Sequence, residues 1–233
     1  MHTRVASPLD RLIFPLIALT AVLSVAAGFA PTYYLGHWFH APPLTTRVHV
    51  HAAAFTVWLV LLLSQTLLIR ARRHRWHRML GKASVVVVAV MVVTGYMVIF
   101  GKPRPTAFMR AFIFTPMLSL VLFPVLFAAA IHFRRDAATH KRLMLLGTIM
   151  IARAGFTRLM HMVGLETSYF RVDAATYLFL LVPLLAFDVA RLGKLHPATV
   201  WGTALLLIRH PLQGLIAYSD WWQRLAAWLT PPV

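Results

Sequence analysis

The chain has 233 residues, 60% of them hydrophobic and only 12% charged, with a mean hydropathy of +0.72; this composition excludes an ordinary soluble domain and identifies a membrane protein. Its 23 Lys and Arg against 6 Asp and Glu give a formal charge of +17, but the basic residues fall between apolar runs and not along one soluble face, so lipid headgroups, and no nucleic acid, are the expected counterions. With no cysteine, disulfides, thiolate metal sites and a cysteine nucleophile are excluded.

A helix needs ~20 largely apolar residues to cross ~30 Å of hydrocarbon. Seven runs qualify, at about 12–30, 48–69, 83–101, 111–133, 143–163, 172–190 and 197–218. The first has no clear small-residue cleavage site behind it and is read as a retained helix. No connection is long enough to fold separately. The expected fold is all-α, a polytopic membrane helix bundle of about seven transmembrane helices forming one domain over residues 1–233. The aromatic-rich WWQRLAAWL predicts an interfacial C-terminal segment at 219–233.

Orientation follows from the basic residues, because loops rich in Lys and Arg stay on the cytoplasmic side. The loop between the second and third runs holds Arg70, Arg72, Arg73, Arg75 and Arg78; the next such loop holds Arg134, Arg135, Lys141 and Arg142; the last holds Arg191 and Lys194. Seven spans then place the N-terminus inside and the C-terminus outside, in a bacterial-type inner membrane.

This topology sorts the histidines onto two levels. His49 and His51 open the second run, His161 lies near the outer end of the fifth, and His210 lies in the outer half of the seventh; His77, His132, His140 and His196 lie at inner ends. Neutral imidazoles on two levels are what a pair of b-type haems needs from a water-excluding bundle. They are equally what two headgroup-level belts of polar residues would look like. His140 and His161 are 21 residues apart, or ~31 Å along a helix, so they cannot both be deep axial ligands. An outer zinc or other divalent ion held by His49, His51, His161 and His210 is the alternative, since three imidazoles and a water make a catalytic zinc site.

A phrase recurs at the inner level. RRHRWHRMLG at 72–81 and RRDAATHKRLMLLG at 134–147 both run from paired Arg to His to more basic residues and then into an apolar, Gly-containing helix. The second and third helices and the fourth and fifth are therefore readable as related hairpins.

The fifth run carries Arg153 about midway through the bilayer, where an arginine costs ~2.5–3.5 kcal/mol on insertion scales. Arg153, Thr157 and His161 share one face, and Arg158 points ~100° away. Glu166 and Asp173 lie at the outer end within reach of Arg158, which leaves two readings for Arg153: a structural pair with Asp173 or with helix carbonyls, or no carboxylate at its depth. An anionic group such as a haem propionate, a lipid phosphate or a substrate carboxylate would then meet its guanidinium fork. The hydrolase elbow GxSxG, the zinc motif HExxH, the phosphate loop and the dinucleotide fingerprint are all missing, so those enzyme classes have no support. The 10 Met residues are read as packing.

HRMLG at 77–81, behind a helix that begins HVHAAAFTVW, and HKRLMLLG at 140–147 resemble a group of predicted bacterial inner-membrane proteins of unknown function. More distantly they resemble the cytochrome-b-like two-haem membrane families. The similarity covers helices two to five, about half the chain. It implies axial ligation by histidines on partner helices, here His51, His77, His132, His140 and His161.

The reading is an integral membrane protein that binds haem b through its histidines, with Arg153 and Arg158 holding propionates, and takes part in membrane electron transfer with a redox partner or quinone. The alternatives are a metal-dependent membrane enzyme on a lipidic substrate, and a non-catalytic subunit or carrier.

Overall fold

A computed structural model describes residues 8–102, 104, 106–165 and 169–230, with side chains described except at 8–11, 169, 170 and 210. The described chain is helical, with no strand: α1 Pro8–Phe29, α2 Thr46–Arg70, α3 His74–Phe100, α4 Ala107–Phe112, α5 Phe114–His132, α6 Ala137–Met162, α7 Tyr169–Thr176, α8 Val182–Leu192, α9 Pro197–Ile216 and α10 Asp220–Leu229. Among the described residues six stretches are long and apolar enough to cross a membrane: Leu12–Tyr34, Thr46–Arg70, His74–Phe100, Ala107–His132, Ala137–Met162 and Arg171–Leu192. The chain is thus a multi-pass membrane protein.

The helices depart from the apolar runs where local chemistry intervenes. α3 starts at His74 and not near 83, because the basic turn HRWHR continues the helix out of the apolar zone while its long side chains reach toward headgroups. Two wide π turns, Ala30–Tyr34 and Tyr177–Leu181, lie beside Pro31 and Pro183, each of which lacks the N–H that an α-helix would use. The second π turn joins α7 to α8 within one apolar stretch. Asp136 caps α6 by accepting the N–H groups of Ala138 and Thr139 at 3.0 and 3.3 Å. The Thr139 hydroxyl, then these amides, hold its carboxyl below the usual carboxylate range. The expected interfacial segment is α10, whose Ser219 accepts Trp222 N–H at 3.3 Å.

α6 is the central helix. Of its most apolar window 61% is buried, against 17% for α2, because its polar residues face other helices and leave little for lipid. It packs on α1, α5, α7 and α9. The core around it joins Ile17, Ala21 and Val25 of α1 to Phe123 and Leu126 of α5 and Leu146, Ile149 and Met150 of α6. Trp58 of α2 is 2% exposed; it sets its indole edge-on to Phe123, 5.1 Å between centroids, and donates its N–H to Thr148 at 3.3 Å. That bond satisfies the one polar atom of a large apolar side chain.

Candidate functional site

Two places in the bundle gather side chains that packing alone does not require, and they lie at opposite ends. The first is where the recurring phrase of the sequence comes together. His77, in the first turn of α3, and His140, in the first turn of α6, face each other with ring centroids 6.4 Å apart and planes at 86°. His140 Nδ1 lies 2.7 Å from the Ala130 carbonyl on α5. A carbonyl only accepts, so Nδ1 carries the proton and Nε2 keeps its lone pair. His77 sits beside the main chain of Gln65 on α2. The two hairpins therefore use one device: an imidazole opening the second helix turns back toward the main chain of the first. Around this pair His77 Nδ1 and both amide atoms of Gln65 are buried without a hydrogen-bond partner, a costly state for polar groups.

The second place is a chamber of about 460 Å³ enclosed by α1, α2, α3, α5 and α6. Its walls are mostly apolar, with Phe29, Phe55, Ile99, Leu120 and Phe123 among them, and three arginines line it: Arg104, Arg153 and Arg158. His51 enters from α2 with its Nδ1 3.1 Å from the Thr94 hydroxyl. That hydroxyl spends its proton on the Val90 carbonyl at 2.6 Å, so His51 donates from Nδ1 and leaves Nε2 as an acceptor. Arg158 rests over the Phe29 ring at 4.2 Å. Arg104 Nε is buried with no partner. His51, Arg153 and Arg158 thus line one chamber, and His161, expected on the Arg153 face, is not among its lining residues.

Arg153 does have a carboxylate at its depth, through the structural pair with Asp173 that the sequence left open. Arg153 Nε donates to Asp173 at 2.5 Å, and Asp173 also receives Arg209 of α9. The sequence had also offered Asp173 to Arg158, which it does not reach among the described contacts. Arg153 and Asp173 are each ten residues from Val163, so the antiparallel run of α6 and α7 about that turn sets them opposite one another, a register signal present in the sequence. Arg209, 2% exposed, was missed, although its place in an otherwise apolar run was the clue. Near the other end Arg142 forms a second buried pair, Nε donating to Asp188 at 3.0 Å. Asp188 also accepts the His196 N–H at 3.1 Å and the Thr199 hydroxyl at 2.5 Å. With its acceptor sites filled, this cluster clamps α6, α8 and α9.

Of the other histidines singled out in the sequence, the described His49, His132 and His161 do not join either place. His49 is exposed and lies against Tyr33, 5.8 Å between centroids. His132 packs edge-on to Phe133 at 4.9 Å. His161 is exposed at the end of α6. The His210 side chain and Glu166 lie outside the described residues. Among the described residues no three His, Asp or Glu side chains converge as a metal site. His196 caps α9, its Nδ1 accepting Ala198 N–H at 3.2 Å; burial first, and then the nearby Arg142 charge, lower its pKa.

No family model, no curated protein and no solved structure matches this chain.

Proposed function

We propose that the chain is a bacterial inner-membrane haem protein in which His77 and His140 would together hold one b-type haem near the cytoplasmic face, as a step in membrane electron transfer. The observation that carries this reading is the 6.4 Å between their ring centroids. An imidazole nitrogen lies ~1.2 Å from its ring centre and a nitrogen–metal bond is ~2.0 Å, so 6.4 Å is a spacing at which both imidazoles would be able to hold one metal. The His140 tautomer supports it, because a ligating imidazole characteristically donates its other N–H to a carbonyl. The orphaned His77 nitrogen supports it too. A bound haem supplies the one-electron couple; Arg70, Arg73 and Arg78, which flank the pair in sequence, are suited to its propionates.

The chamber fits the same cofactor less well. Among the described residues His51 is its single lining imidazole, so it would offer a haem one histidine where the inner pair would offer two. The basic loops around 70–78, 134–142 and 191–194 put the His77–His140 end in the cytoplasm and the chamber toward the outer face. α9 then forms a seventh span, its Arg209 shielded from lipid by Asp173.

Absorption spectroscopy of protein purified with haem present, joined to a pyridine haemochrome assay, tests the reading. One haem per chain with a low-spin Soret band is expected. His77→Ala and His140→Ala should each lose that band, and His51→Ala should keep it. A wild-type protein that takes up no haem, or a band that survives both inner substitutions, would sink the proposal.

A further inference from the structure

The chamber at the other end of the bundle has its own chemistry, independent of haem at His77 and His140. Among the described residues its lining carries three guanidinium groups and no carboxylate. The nearest acid described in contact with them, Asp173, is divided between Arg153 and Arg209. Arg158 has an aromatic ring and no anion against it among the described residues. Arg104 presents a buried Nε with nothing to receive its proton. A buried guanidinium nitrogen such as Arg104 Nε is costly unless an acceptor comes to it, and Arg158, an exposed guanidinium on the chamber lining, is open to the same anion. The rest of the wall asks for the opposite kind of atom: Phe29, Phe55, Ile99, Leu120, Phe123 and Met150 offer hydrocarbon to hydrocarbon. The volume of about 460 Å³ lies within the ~300–1,000 Å³ of small-molecule sites.

We propose that this chamber binds a single-chain amphiphile, its carboxylate or phosphate head on Arg158 and Arg104 and its acyl chain along the apolar wall between α2, α5 and α6. Arg153 stays committed to Asp173 and contributes field without surrendering its partner. Arg158 is the primary anchor: Phe29 holds the plane of its guanidinium, leaving the edge donors for a bidentate contact with the head. His51, with Nε2 as an acceptor, discriminates against a head that brings only lone pairs to that wall and so leaves the anion to the arginines.

Displacement of the fluorescent fatty acid cis-parinaric acid from the purified full chain in detergent tests this, with oleate, oleyl phosphate, oleyl alcohol and inorganic phosphate as competitors. The expected result is one saturable site, with oleate or oleyl phosphate displacing the probe at least tenfold better than the alcohol. Arg158→Gln should weaken the acid at least tenfold and leave the alcohol unchanged. Ala154→Trp, which fills the chamber from α6, should remove binding of both, and an unchanged elution volume and melting temperature in detergent report that the fold persists. The relative strength of carboxylate and phosphate heads then identifies the source of the anion. Equal ranking of acid and alcohol, displacement by inorganic phosphate alone, or an Arg158→Gln protein that ranks competitors as wild type does overturns the proposal.

Discussion

Gly28 of α1 and Gly155 of α6 meet where their helices cross: a methyl group added at Gly155 would lie 2.7 Å from Val25 Cα, and one added at Gly28 would strike the Gly155 carbonyl. In hydrocarbon, helices gain by close van der Waals approach and not by hiding from lipid, so small residues set the crossing. Ala18, Ala21 and Ala152 are fully buried nearby and extend the same tight seam. Gly155→Val should therefore lower stability by about 1–3 kcal/mol through overpacking. Gly81→Ala, with open space around it, should be neutral or stabilising by up to about 1 kcal/mol. Thermal melts in detergent compare the two; equal melting temperatures would mean that this crossing does not organise the bundle.

Asp173 is the counterion for two arginines on different helices, which makes it more important than either partner. Removing its charge leaves Arg153 and Arg209 facing each other in a site where they are 13% and 2% exposed. Breaking a buried pair by deleting one partner costs about 3–5 kcal/mol because the survivor stays buried and charged. Asp173→Asn is expected to show a loss of that size. Adding Arg209→Met to Asp173→Asn should return part of it, since the repulsion leaves with the second guanidinium. If the double variant melts below the single one, the instability comes from lost hydrogen bonds and not from unbalanced charge.

The parts of this fold readable from the sequence are those that depend on one dimension. Run length located the helices, and the depth of Arg153 showed that something must compensate it. The outer level of His51 and the depth of Arg153 were legible, but Arg158 was read ~100° away from the Arg153 face, and only the packing sets all three on one lining. What the sequence withheld depends on which helices touch. His77 and His140 stood in a recurring phrase, but only the packing of α3 near α6 makes them a pair. The antiparallel register that joins Arg153 to Asp173 was countable, whereas the joining of Asp188 to Arg142 passes through a π turn at Tyr177–Leu181 that shifts the register by an amount no pattern announces.

The α9 cap gives a pH dependence whose sign is fixed. His196 accepts a backbone N–H, so it must be neutral to cap, and its folded pKa is lowered. Between that value and the ordinary ~6.5 the unfolded chain binds more protons, so stability rises with pH in this window and is lost as pH falls below ~6.5. The Asp136 carboxyl acts in a separate window: its stabilisation is present above the ordinary carboxylate pKa and fades only as pH drops through its lowered value. His196→Asn keeps a capping acceptor and cannot titrate. Melting curves from pH 7.5 to 5.5 should show a smaller acid loss in His196→Asn than in wild type, and matching curves would remove His196 from the account.

Whether α9 crosses the membrane decides between six spans and seven, and the absence of cysteine makes the question easy to pose. α9 is 20 residues long, which at ~1.5 Å per residue reaches ~30 Å, just enough for the hydrocarbon core. It carries Arg209 and Gln213, yet both are buried against other helices, Arg209 on Asp173 and Gln213 on the Thr115 hydroxyl. Polar groups turned inward in this way do not oppose insertion. Lys194, ahead of α9, and Trp228, on α10, are both exposed and accept a probe without disturbing the core. In intact cells, a membrane-impermeant maleimide should label Trp228→Cys and leave Lys194→Cys unlabelled until the membrane is opened. Labelling of both from one side would make α9 a helix that enters the membrane and turns back, and would place α10 on the cytoplasmic face with the His77–His140 pair.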